Sequence, residues 1–175
     1  MIHKMDIQFT KMHGLGNDFV VLNNLHNEYQ LSTEQIAMLG DRHFGVGFDQ
    51  LLLVEAATEP GIDFSYRIFN IDGREVEHCG NGARCFAKYI NDKGLFVGES
   101  LVVKTVNRVL TLKIADDGAI TVDMETPVFD AAKIPFIAGS DSTLHTRQLT
   151  VLGSLIDVEF CTLSMGNPHA VIRVE

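Results

Sequence analysis

The run Cys79-Gly80-Asn81-Gly82-Ala83-Arg84-Cys85 fixes its local structure more tightly than any other stretch of the chain. Ala83, Phe86, Ala87 and Ile90 stand at i, i+3, i+4 and i+7, one apolar stripe of a 3.6-residue repeat. Gly94 follows where a left-handed terminus would end the element. The spacing therefore predicts an amphipathic helix with a thiol at or just before its N-terminus. Peptide dipoles give a helix N-terminus partial positive charge, which favours anions and the anionic form of a cysteine placed there. Gly80 and Gly82 supply no packing atoms but leave backbone N–H groups approachable. A core cysteine gains nothing from such neighbours, whereas a reactive one does, so Cys79 is the candidate catalytic residue.

Strands are expected over residues 7–12 and 19–23, around a tight segment at 13–18, and over 50–56 and 63–70, with a brief return strand over 75–78. Ser32 and Gln35 make a capping box, with Leu31 in the staple position, and open a short helix to about Gly40. After Gly94 the texture changes to strands and turns, with strands expected over 101–106, 109–114, 120–125, 148–151, 156–163 and 170–174. Thr126-Pro127 reads as a boundary, giving a first domain of residues 1–125 and a second portion of residues 126–175. That second portion runs out inside an apolar alternation, so its strands are expected to lack part of their pairing and to favour self-association.

Composition narrows the function classes. With 46% hydrophobic residues in 175 the chain can bury a core and is too apolar for disorder. A net charge of -9, with 14 Lys and Arg scattered along the chain, argues against a nucleic-acid partner. No apolar run reaches the roughly 18 residues of a membrane span, and residues 1–6 lack the apolar core of a secretory signal. Three cysteines are an odd number, and the separation of Cys79 from Cys85 suits neither a zinc knuckle nor a CxxC redox pair. A cytoplasmic protein without a metal, a nucleic-acid partner or a membrane is the expectation. Cys85, inside the helix, and Cys161, inside 158–163, are expected to be structural thiols.

Four turn segments carry the remaining chemistry: Gly14-Leu15-Gly16-Asn17-Asp18-Phe19, Asp49-Gln50, Phe69-Asn70-Ile71-Asp72-Gly73 and Met165-Gly166-Asn167-Pro168-His169. Singly, each is an ordinary place for Asn and Gly to serve the backbone. Four of them beside strand ends, together with the thiol helix, suit a small polar ligand gripped by neutral donors and acceptors. His169, directly after Asn167-Pro168, leans towards that site.

Taken in order with Glu77-His78-Cys79-Gly80-Asn81-Gly82-Ala83-Arg84-Cys85, three of these segments make a set that resembles the diaminopimelate epimerase family. Its members interconvert LL- and meso-diaminopimelate without pyridoxal, for lysine and peptidoglycan synthesis. The resemblance runs from about Phe9 onward and implies an α+β fold. In it a mixed, mostly antiparallel sheet curls around a central helix, with one full lobe here and part of a second. It implies no cofactor, a homodimer, and a diaminopimelate substrate. Cys79 corresponds to the first of two catalytic cysteines. Asn17, Gln50, Asn70, Gly80, Asn81 and Asn167 correspond to substrate-binding positions, with His169 close to the reacting centre. The family's second cysteine, in a Cys-Gly-Ser-Gly context beyond a Glu-Arg pair, has no counterpart in these 175 residues, so the chain alone is expected to be inactive. Two alternatives remain: another cofactor-free racemase or isomerase of the same fold, such as a proline-type or phenazine-type enzyme, or a non-catalytic ligand-binding fragment.

Overall fold

Two segments, Phe19-Val20-Val21-Leu22 and Leu51-Leu52-Leu53-Val54, carry no polar alternation, and the fold buries both faces of each. The computed structural model describes residues 6–77, 79–137, 139 and 142–174. It divides into two compact units, Met1–Asp123 and Met124–Glu175.

Among the described residues of the first unit, eight strands form one mixed sheet. They are β1 (Thr10–Gly14), β2 (Asn17–Asn23), β3 (Gln50–Ala56), β4 (Phe64–Asn70), β5 (Glu75–Val76), β6 (Ser100–Lys104), β7 (Val109–Ile114) and β8 (Ile120–Val122). The order is β1-β2-β3-β4-β6-β7-β8, with β5 paired to β4. The β2/β3 and β4/β6 pairs are parallel and the others antiparallel. The helix α2 (Gly80–Asp92) packs on β1, β2 and β3 and also on β7 and β8. One helix touching both ends of the strand order requires the sheet to curl around it.

The double burial of β2 and β3 follows from two layers. Phe19, Val21, Leu52 and Val54 point to α2, joining Ala83, Phe86, Ala87 and Ile90, which are all fully buried. Val20, Leu22, Leu51 and Leu53 point the other way, to Ile36 of the short helix α1 (Thr33–Gly40) and to Phe48. Phe86 stacks on Tyr66 at 4.6 Å between ring centroids. Burying a side chain the size of Phe86 or Ile90 contributes roughly 1.5–3 kcal/mol each, so the predicted apolar stripe is what anchors α2.

Local signals and structure agree closely here. Ser32 caps α1, and the reciprocal bonds of the capping box form, Gln35 N–H to Ser32 Oγ and Ser32 N–H to Gln35 Oε1. Gly94 takes φ 61, the left-handed end expected of α2. Edges differ more. The first strand begins at Thr10 rather than residue 7, and the return strand covers only Glu75–Val76. His78, which was expected to close it, lies outside the described residues.

The second unit is a three-stranded antiparallel sheet, β9 (Leu144–Val151), β10 (Ser154–Ser164) and β11 (Pro168–Val171), in the order β11-β10-β9. Phe136, His145 and Phe160 form its packed centre, and the His145 ring bonds Thr162 Oγ1 at 3.3 Å. Leu144, Leu149, Leu155, Ile156 and Val171 remain exposed. Cys161, expected in a core, is only half-buried, on the face of β10 that it shares with the exposed Leu155.

Candidate active site

Strand direction converts distant sequence positions into neighbours. Because β2 and β3 run parallel, with Phe19 opposite Gln50, both strands start at the same end of the sheet. The antiparallel β4 finishes there, with Asn70 opposite Gln50. Asn17 reaches that end through a two-residue hairpin in which Leu15 and Gly16 both have positive φ, 51° and 91°, and Gly14 pairs with Asn17. Three of the predicted site residues therefore stand on one rim.

Cys79 is the N-cap of α2, with extended backbone at φ -150° and ψ 110°. Its Sγ accepts the Gly82 N–H at 3.3 Å, and its carbonyl oxygen accepts the Ala83 N–H at 2.8 Å. The N–H groups of Gly80 and Asn81 belong to the first turn, where no intrahelical acceptor exists. Gly82 is buried, and a Cβ there would lie 3.3 Å from Leu52 Cδ2 and 3.4 Å from Cys79 Cβ, so the glycine lets the helix start press against β3. No acidic side chain occupies the first turn of α2, so none there answers the partial positive charge of its N-terminus.

Side-chain bonds tie the rim together. Asn81 Nδ2 donates to Asn17 Oδ1 at 2.7 Å, and Gln50 Nε2 donates to Asn70 Oδ1 at 2.9 Å. Gln50 Oε1 is buried and has no partner among the described residues, an acceptor waiting for a donor. Asn17, Gln50, Asn70, Cys79, Gly80 and Asn81 are all half-buried. Asn167 and His169 belong to the second unit, at the turn joining β10 to β11, where both are exposed. There His169 Nδ1–H donates to the Asn167 carbonyl oxygen at 2.9 Å.

A charged network behind the rim escaped the sequence reading. Arg42 bonds Asp18 through two nitrogens, at 2.7 and 3.1 Å, and Asp49 at 2.8 Å, while Lys11 reaches Asp18 at 2.7 Å. The Arg42 guanidinium and the Lys11 ammonium hold the Asp18 carboxyl well below the usual carboxylate range. The signal in the sequence was adjacency: an aspartate flanks each of two candidate amides, in Asn17-Asp18 and Asp49-Gln50. Cys85 is 4% exposed, and burial pushes its thiol up, as expected of a structural cysteine. Among the described residues no group of three or more His, Cys, Asp or Glu is placed to hold a metal ion, and no helix is long and apolar enough to cross a membrane.

Comparison with known proteins bears on this arrangement at two levels. Crystal structures of a hydroxyproline epimerase from Agrobacterium vitis and a probable proline racemase from Agrobacterium radiobacter superpose with TM-scores of 0.63 at 12% identity. Each covers 95% of this chain but only 51% and 52% of the other protein, and the likeness establishes the fold. Sequence relatives are nearer. A diaminopimelate epimerase of Laribacter hongkongensis is 54% identical over 171 residues, and one of Ralstonia pickettii is 51% identical over 178. These alignments cover 98% of this chain, which spans 60% of the length of each of those relatives. The sequence model of the diaminopimelate epimerase family matches residues 9–129, a span holding the hairpin, the rim and the whole of α2. By fold, by motif order and by identity across its length, the chain belongs to the diaminopimelate epimerase family.

Proposed function

We propose that the chain carries one half of a cofactor-independent epimerase site that inverts an α-carbon of diaminopimelate between the LL and meso forms, with Cys79 as one of two acid/base thiols. The observation that carries this reading is the sulfur at the start of α2, bonded by a helix N–H at 3.3 Å, two residues before Asn81, whose side chain bonds Asn17 on the rim.

The chemistry explains why such a rim is needed. Cys79 as thiolate takes the α-proton from one face, leaving the C–H electron pair on carbon in conjugation with the carboxylate. A second thiol on the opposite face delivers a proton to that carbon, so configuration inverts and the two sulfurs exchange protonation states. No imine is available to spread the charge, so dipoles aimed at the carboxylate must stabilise it. The first-turn N–H groups of Gly80 and Asn81 suit that task. Asn17, Gln50, Asn70 and Asn81 suit the ammonium and carboxylate groups of the ligand, and Asn167 and His169 of the second unit are proposed as ligand positions on the family resemblance alone. The orphaned Gln50 Oε1 fits an N–H donor such as a substrate ammonium.

Of the three thiols, only Cys79 stands at a helix N-terminus, since Cys85 is core and Cys161 lies in β10. The 175-residue polypeptide is therefore proposed to bind ligand weakly and to turn over almost none of it. A cytoplasmic place in lysine and peptidoglycan synthesis, and a homodimeric assembly, belong to the same proposal. The decisive assay pairs calorimetry with deuterium wash-in at the α-carbon of meso-diaminopimelate in heavy water. Binding with background wash-in is the expected result. Wash-in at the rate of an intact family enzyme would refute the two-thiol scheme, and absence of binding would refute the site.

A further inference from the structure

We propose that Arg84 and Asp49 are positioning residues whose opposite hydrogen-bonding characters dictate which way the Asn17 and Asn81 carboxamides face. The idea rests on the site reading above, because those two amides are proposed to meet the substrate. A carboxamide is nearly symmetric in shape, so a half-turn exchanges its donor and acceptor at little steric cost. A site built from amides consequently needs something to set their polarity.

Four side chains form a continuous sequence of bonds that does so. A guanidinium only donates, and Arg84 donates to Asn81 Oδ1. Asn81 Nδ2 then donates to Asn17 Oδ1 at 2.7 Å, and Asn17 Nδ2 donates to Asp49 Oδ2 at 3.4 Å. The carboxylate at the far end only accepts. Turning Asn81 over would set its NH2 against the guanidinium and its oxygen against the Asn17 oxygen. Turning Asn17 over would set its oxygen against the Asp49 carboxylate. Either flip replaces attraction by repulsion at a charged group, so the two ends together permit one arrangement.

Asp49 is itself immobilised. Its Oδ2 also accepts the Asp18 N–H at 3.0 Å, and its own N–H donates to Asp18 at 2.9 Å to the carbonyl and 3.1 Å to Oδ1. Arg42 bridges both carboxylates. These bonds cross-link the two parallel strand ends just where the rim residues begin. In this polarity each carboxamide spends one N–H within the series of bonds, so its second N–H is the proposed donor to a ligand oxygen.

Side-chain NH2 exchange with solvent, measured by NMR on the 15N-labelled 175-residue chain, tests the assignment without any ligand. Arg84→Gln keeps a polar side chain that can donate or accept, and Arg84→Lys keeps a group that only donates. Asp49→Asn removes the acceptor-only end. Arg84→Gln and Asp49→Asn are each expected to speed exchange at Asn17 and Asn81 by about tenfold, the factor for losing one bond to an ionised group. Arg84→Lys stays near the native rate, and backbone protection at Phe86 and Val21 is unchanged throughout. Equal rates in Arg84→Gln and Arg84→Lys, or acceleration matched by lost backbone protection, would overturn the proposal. A parallel titration with meso-diaminopimelate separates the two ideas: a native chain that fails to bind sinks the epimerase reading while the exchange rates still decide the polarity of the amides.

Discussion

Cys79 occupies a position that helices ordinarily give to Ser, Thr, Asp or Asn, and its replacement offers a quantitative test of why sulfur is there. Its Sγ caps the Gly82 N–H from 3.3 Å, but sulfur is a weak acceptor, so only part of a normal cap is realised. A full oxygen cap is worth about 1 kcal/mol over alanine. Cys79→Ser should therefore stabilise the fold by roughly 0.5 kcal/mol, and Cys79→Ala should destabilise it by a similar amount. Cys79→Asp should gain a further 0.3–1 kcal/mol or so, because α2 has no acidic residue in its first turn to answer its dipole. The expected order of stability is Asp, Ser, Cys, Ala, with about 1–2 kcal/mol between the extremes. Urea unfolding followed by far-ultraviolet circular dichroism reads this order directly, and a change of 1 kcal/mol moves Tm by roughly 2–8 °C. If serine proves less stable than cysteine, or alanine equal to it, the sulfur does not act as a cap and the geometry argued for Cys79 fails. If the order holds, the native residue is the less stable choice at its own position, as expected where chemistry decides the side chain.

Two further outcomes can be checked on the same material. Alkylation with iodoacetamide, mapped by peptide mass, should modify Cys85 slowest of the three thiols, because it is 4% exposed and burial pushes it up; equal labelling of all three in the folded chain would contradict the placement of Cys85 in the core. Acid should loosen the hairpin end of the sheet through Asp18. Its carboxyl is held down chiefly by Arg42 and then by Lys11 in the folded state, so that contribution is complete above the ordinary carboxylate range and is lost as pH falls below it. Stability measured from pH 6 downward should accordingly fall less steeply in Arg42→Gln than in the native chain, and parallel curves would count against the network.

The fold was legible in the sequence wherever neighbours along the chain cause the structure. The capping box of Ser32 and Gln35, the stripe of Ala83, Phe86, Ala87 and Ile90, and the left-handed Gly94 depend on residues within two turns of one another. Strand limits were less legible, because cross-strand pairing sets them: the β1 ladder starts with Thr10 opposite Val21, although β2 itself runs on to Asn23. Cys161 was misjudged for a related reason. An apolar neighbourhood in sequence implies burial only if another layer covers that face, and Leu155, on the face of β10 that Cys161 shares, is exposed.

Periodicity and capping residues, both short-range, determined that a thiol would open a buried helix, and the motifs marked the asparagine-bearing turns beside strand ends. Only the tertiary structure decided that β2 and β3 run parallel, which brings Asn17, Gln50 and Asn70 to one rim and lets Asp18 and Asp49 clasp each other. The physical reason is range. A helix start is specified by bonds spanning three or four residues, whereas the charged network joins positions 24 and 31 residues apart, and the Asn17–Asn81 bond closes a separation of 64. Contacts at such separations are chosen by which apolar faces bury together, and no local pattern encodes that choice.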